Sequence, residues 1–228
     1  MTDFTGADWP QGFGLLFLAS PALPTGAFAW SQGLEGALGA GALRGPEDLR
    51  AYLADLLAGS LATFDLPLLY RAQAAARSQN GPKLLEISQL ALAGRETREL
   101  WRAEVEMGRA LTRLIEALGT PEFWAGAELG LVAAYALLAT LVAPNVAARE
   151  LGLAYAYSFL ENQLAAASRL IPLGQTAARR ILLSLGPELA QAAQAAESLR
   201  DEEIGSPLFG LAIYGSRHES QAARLFRS

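Results

Sequence analysis

A chain of 228 residues with 52% hydrophobic and 18% charged residues can build one sizeable core, which excludes disorder over its whole length. Its net charge of −5, with no Lys/Arg run and no broad basic helix face, argues against a nucleic-acid partner. Cysteine is absent, which removes a disulfide framework, a thiolate metal site and a cysteine nucleophile together.

The first apolar run, residues 13–29, ends on Ala27-Phe28-Ala29 and imitates a secretory leader. Asp3 and Asp8 precede it and no Lys or Arg occurs before Arg44, whereas a leader needs a basic start, so none is expected. Ala, Leu, Glu, Gln and Arg dominate the rest, and Pro and Gly punctuate it. The pattern predicts helices over 13–20, 28–40, 47–60, 64–79, 82–93, 95–118, 121–142, 146–170, 173–185 and 187–200. The clearest is 95–118, where Leu100, Ala103, Met107, Leu111, Leu114 and Leu118 make one apolar stripe. Arg95/Glu99, Arg98/Arg102 and Arg102/Glu106 fall four apart on its wet side, Gly119 ends it, and Thr120 caps a helix opened by Pro121. Residues 129–148 are uncharged for 20 positions, but Pro144-Asn145 interrupts them, so a buried bundle helix is expected there and no membrane span. The acids Asp201, Glu202 and Glu203 read as a solvated turn beside a helix end. The fold expected is all-α: one domain over 1–228 of about nine or ten helices, with 205–228 as a tail.

No phosphate loop, dinucleotide turn, nucleophile elbow or zinc-protease helix occurs. His218 is the only histidine, in a tail expected to be mobile, so neither a rigid catalytic triad nor an imidazole metal site is expected from one chain. The chain is read as a non-enzyme.

Three segments carry unusual residues at close spacing. The first, residues 18–35, places Ser20, Pro21, Pro24 and Gly26 in a shaped turn before Phe28, Ser31, Gln32, Gly33 and Glu35; on chemistry alone it reads first as a rigid packing loop. The second holds Tyr157 and the polar run Glu161, Asn162 and Gln163 in an apolar helix, then Arg169, Pro172, Gly174 and Gln175. Arg169 serves equally as a helix C-terminal cation or as a partner contact. The third is the tail: Arg217, His218, Glu219, Gln221, Arg224, Leu225 and Phe226 have contact chemistry but little means of folding alone, and read as a hook for a partner.

These segments, LASPALPTGAFAWSQGLE, YSFLENQ followed by RLIPLGQT, and RHESQAARLFRS, resemble in this order the signatures of the UreF family of urease accessory proteins, and RETRELWRAEVEMGRAL is similar too. The resemblance implies a helical homodimer in the cytoplasm that assists maturation of a nickel enzyme. It would bind UreD (also called UreH), recruit the GTPase UreG for nickel insertion into apo-urease, and influence the GTPase step. It implies no cofactor held by this chain alone, nickel being handled by the complex. It further implies that the tail residues order on UreD and help face UreG. Tyr157, Glu161, Asn162, Gln163 and Arg169 would serve the dimer or the UreG side, and the first segment would build a polar passage or support the tail. The alternative is a helical scaffold for another metalloenzyme.

Overall fold

The structure, a computed structural model, describes residues 12–124, 126–205 and 208–227. Asp3, Asp8, Ser206, Pro207 and the last tail residue lie outside the described residues. The helices are α1 (Phe13–Ala19), α2 (Leu34–Gly39), α3 (Pro46–Asp55), α4 (Leu66–Arg77), α5 (Gly81–Ala93), α6 (Arg98–Leu118), α7 (Leu131–Val142), α8 (Ala148–Leu170), α9 (Gln175–Ser184), α10 (Gly186–Ser198) and α11 (Phe209–Glu219). Single 3-10 turns lie at Ala27–Ala29 and Asp201–Glu203, and no strand occurs among the described residues, so the fold is all-α as expected.

The uncharged stretch becomes the centre. All but two residues of α7 are buried, and α1, α4, α5 and α6 pack around it. Close approach depends on glycine where backbones meet: a Cβ on Gly14 would lie 1.8 Å from the Val142 carbonyl oxygen, and one on Gly108 would lie 2.1 Å from that of Leu129. Polar side chains tie helix ends into this core. Tyr135 donates to the Leu18 carbonyl at 2.9 Å, and Ser88 Oγ accepts the Gly130 amide at 2.8 Å. On the far side α8 packs against α1, α4, α9 and α10.

Several predicted boundaries move for local reasons. The helix expected over 28–40 is broken, because Gln32 and Gly33 take left-handed backbone (φ 48° and 89°) and only Leu34–Gly39 is α-helical. The helices expected at 47–60 and 64–79 are one continuous rod, Pro46–Arg77, joined by a π-helical stretch, Leu56–Asp65. Pro67 has no N–H to give the Thr63 carbonyl, which accepts the Gly205 amide at 3.0 Å instead; the wider π turns accommodate that proline. This rod is long and apolar enough to cross a bilayer, but 67% of its most apolar window is buried inside the fold. Pro121 opens no helix: the described residues of 119–130 are irregular, anchored by buried Trp124, whose Nε1 donates to the Ala127 carbonyl at 3.1 Å. The long helix starts at Arg98 with Thr97 as its cap, accepting the Leu100 amide at 3.2 Å. Glu99 is buried and Arg95 largely so, which corrects their placement on a wet face.

Candidate functional site

The tail is neither frayed nor extended. Residues 209–219 form α11, and the segment after it folds back across α2 and α6. Two glycines let α11 settle. A Cβ on Gly36 would lie 2.2 Å from the Tyr214 carbonyl oxygen, and one on Gly215 would meet Thr97 at 3.0 Å. That approach drives His218 to 0% exposure, which corrects the expectation of a mobile histidine. Its Nδ1 lies 2.7 Å from Glu99 Oε2, and its Nε2 lies 2.9 Å from Glu35 Oε2.

Both carboxylates sit in the first turn of their helices, where the helix dipole favours negative charge, and both also hold the tail. Glu35 accepts the amides of Leu225 at 2.8 Å and Phe226 at 2.9 Å; Arg224 donates to Glu99 Oε1 at 3.0 Å. Burial works against a charge on Glu35. The two tail amides and the His218 ring outweigh it and hold the carboxyl below the usual carboxylate range. Glu219 reaches back to accept the Glu99 amide at 3.2 Å, and the Gln221 side chain fills the space beside Gly39. Arg227 donates its amide to the Ala29 carbonyl at 2.9 Å and its guanidinium to Glu106, also at 2.9 Å.

Phe226 is thereby buried under Arg169, whose guanidinium carbon stands 4.7 Å from the ring centroid and which also donates to the Phe28 carbonyl. The first segment therefore underlies the tail, with Glu35 as the direct link. Ser20, Pro21, Pro24 and Gly26 shape the turn before the 3-10 residues; Ser20 Oγ accepts the Ala22 amide, and Gly26 takes φ 72°. Phe28 at 75% and Leu225 at 51% exposure remain on the surface beside the docked segment.

The run Glu161, Asn162 and Gln163 does not form one cluster, because successive residues of a helix point about 100° apart. Glu161 turns toward α9 and binds the Arg179 guanidinium in a two-pronged pair, with Tyr157 donating at 2.9 Å. Burial opposes the Glu161 charge, but Arg179 and Tyr157 outweigh it and hold its carboxyl low. Asn162 donates to the Ser158 carbonyl one turn back. Gln163 points inward and donates to the Ser31 carbonyl at 3.1 Å, beneath the tail dock. Pro172 and Gly174 form the turn that separates α8 from α9, and Gln175 opens α9.

Sequence reading missed a second polar centre deeper in the fold. Arg95 donates to Asp65 at 2.6 Å and to Glu104 at 2.7 Å, and Glu104 also accepts the Val132 amide at 3.0 Å at the start of α7. Burial favours loss of the Arg95 proton, but the two carboxylates more than reverse it, so the guanidinium stays charged. The Tyr155 hydroxyl beside them is pushed far upward, first by burial and then by the same carboxylates, and stays neutral. A cavity of about 30 Å³ touches Gln32, Asp65, Arg95, Glu104 and Tyr155; a neighbouring one of about 40 Å³ touches Thr25, Gln32, Tyr155, Asn162 and Gln163. Each has room for one or two waters, and Gln163 Oε1 is buried there without a protein partner. The signal in sequence was faint: Asp65 and Glu104 are single acids in apolar helical patterns, at positions where a surface reading costs nothing. Arg179, the partner of Glu161, gave no signal at all.

Among the described residues no group of three His, Cys, Asp or Glu side chains converges as a metal cage. The imidazole lies between Glu35 and Glu99, so the three face one another rather than a shared point.

A family model described as UreF matches residues 43–186. The urease accessory protein UreF of Ectopseudomonas mendocina is 42% identical over 224 residues, covering 94% of this chain and 97% of that protein. That of an Azoarcus species is 40% identical over 220 residues, covering 94% of each chain. That of Marinobacter nauticus is 40% identical over 217 residues, covering 94% of this chain and 93% of the relative.

Proposed function

Because the chain belongs to the UreF family of urease accessory proteins, which are not enzymes, we propose that it works as a helical adaptor in the maturation of urease. In this reading it binds UreD (UreH) in the cytoplasm, recruits the GTPase UreG as a homodimer, and so places nickel insertion into apo-urease under control of GTP hydrolysis. In this reading nickel is cargo of the complex, and no cage of His, Cys, Asp or Glu side chains forms among the described residues.

The docked tail carries the reading. The buried Glu99 and the half-buried Glu35 fix a tail segment whose exposed neighbours, Phe28 and Leu225, are apolar and are flanked by Arg169, Arg224 and Arg227. On an acidic chain this is a local apolar and basic surface, suited to a partner with an apolar patch rimmed by acids.

The test is urease activation. Urease subunits are co-expressed with UreD, UreG, the nickel chaperone UreE and nickel, with and without this chain, and ammonia release from urea is assayed. Activity only in its presence supports the adaptor; equal activity in both arms, with all factors soluble, removes it.

A further inference from the structure

His218 is the chain's only imidazole, fully buried, and each ring nitrogen meets a carboxylate that is also a tail anchor. A neutral imidazole has one N–H, and an ionised carboxylate only accepts. With His218 neutral, one nitrogen lone pair would therefore face a carboxylate oxygen at 2.7 or 2.9 Å. The imidazolium donates to both. Charge points the same way. Glu35 on α2 and Glu99 on α6 are balanced by His218 and Arg224; without the ring proton, one partly exposed arginine faces the buried Glu99 and the half-buried Glu35. The remaining charged groups around this point are already engaged: Glu219 with the Glu99 amide, Arg227 with Glu106, and Arg169 with Phe226 and the Phe28 carbonyl. The Tyr214 carbonyl and the His218 Cβ of α11 pack against Gly36, and Gly215 packs against Thr97, so α11 is seated closely on α2 and the start of α6.

We propose that His218 is a proton-operated latch for the C-terminal segment: the protonated ring holds residues 224–227 docked, and loss of that proton as pH rises releases them. The acid limit has the opposite sign. Glu35 has a lowered carboxyl pKa, so its hold is complete above the ordinary carboxylate range and fades as pH falls through its lower folded value. Glu35 thus bounds the docked state on the acid side. The latch stands on this chain alone; its effect on partner capture rests on the adaptor reading.

With a single histidine, one ring C2–H resonance reports the protonation of His218 directly. That signal is followed in the full chain from about pH 5 to 9 while hydrogen exchange, corrected for intrinsic rates, is read at the amides of Leu225 and Phe226. The expected result is a fall in tail protection of at least about tenfold that tracks the histidine titration, with α7 amides unchanged. Tail protection that stays constant through the histidine titration overturns the latch, as does a ring that does not titrate in this range. H218Q should show weak tail protection at every pH; protection equal to that of the acidic wild type overturns the proposal. UreG capture is measured separately on the wild-type chain with UreD. Failure of capture at every pH sinks the adaptor reading and leaves the latch standing.

Discussion

Arg95 and Glu104 meet at 2.7 Å inside the fold, on either side of the long helix's first turns, and the same carboxylate caps the first turn of α7. One side chain thus joins a buried cation to the central helix, and Asp65 at the end of the π-helical stretch completes the pair. Removing the cation strands two buried acids. Arg95→Ala should lower stability by about 3–5 kcal/mol, measured by urea unfolding monitored through helicity. A loss below about 1 kcal/mol would show that water in the adjoining cavity already carries these charges.

The Glu161–Arg179 pair looks similar on paper but has an arginine that is 55% exposed. Solvent screening should hold Glu161→Gln to less than about 1 kcal/mol at neutral pH. The folded carboxyl pKa is lowered, so its contribution is present above the unfolded value and disappears as pH falls through the folded one. The stability gap between wild type and variant should therefore close on acidification, in an unfolding series from about pH 7 to 3.

Gly36 tests how tightly α11 is seated. Alanine there puts a methyl 2.2 Å from the Tyr214 carbonyl, a backbone atom that cannot step aside. Gly36→Ala should cost about 1–3 kcal/mol and increase proteolysis of the tail. Gly45→Ala is the control: its backbone is extended and nothing lies within 4 Å of the added carbon, so it should stay within about 0.5 kcal/mol.

Phe28 and Leu225 are exposed, so charge there can be introduced without disturbing the core. Replacing both by Glu should leave the melting temperature within about 2 °C of wild type and abolish urease activation in the co-expression assay. On the proposed reading, removing residues 217–228 should leave α7 and α8 helical and the proposed homodimer intact while ending UreD capture. Full capture by the truncated chain in a pull-down would place the UreD contact elsewhere.

Much was legible because periodicity is local. The stripe Leu100, Ala103, Met107 and Leu111 reads from spacing alone, and the uncharged 129–148 stretch announced a buried helix. Boundaries that failed depended on distant atoms. Gln32 and Gly33 break a helical pattern so that Glu35 can face the tail, and Pro67 is tolerated inside a continuous rod because Gly205, far along the chain, takes the carbonyl it leaves free. The site residues were visible as unusual types, but their pairings were not. Glu99 and Arg95 obey a surface rule four residues apart, yet each turns to a different buried partner.

The sequence by itself determined the all-α class, the central apolar helix, the want of catalytic or thiolate chemistry, and the family, since composition, local spacing and three ordered signatures need no third dimension. Only the tertiary structure decided that the tail is a docked element and that its histidine is fully buried. The physical reason is that a buried charge is set by what faces it. Glu35, Glu99 and His218 lie far apart along the chain, and only the close seating of α2, α6 and α11 makes them one unit.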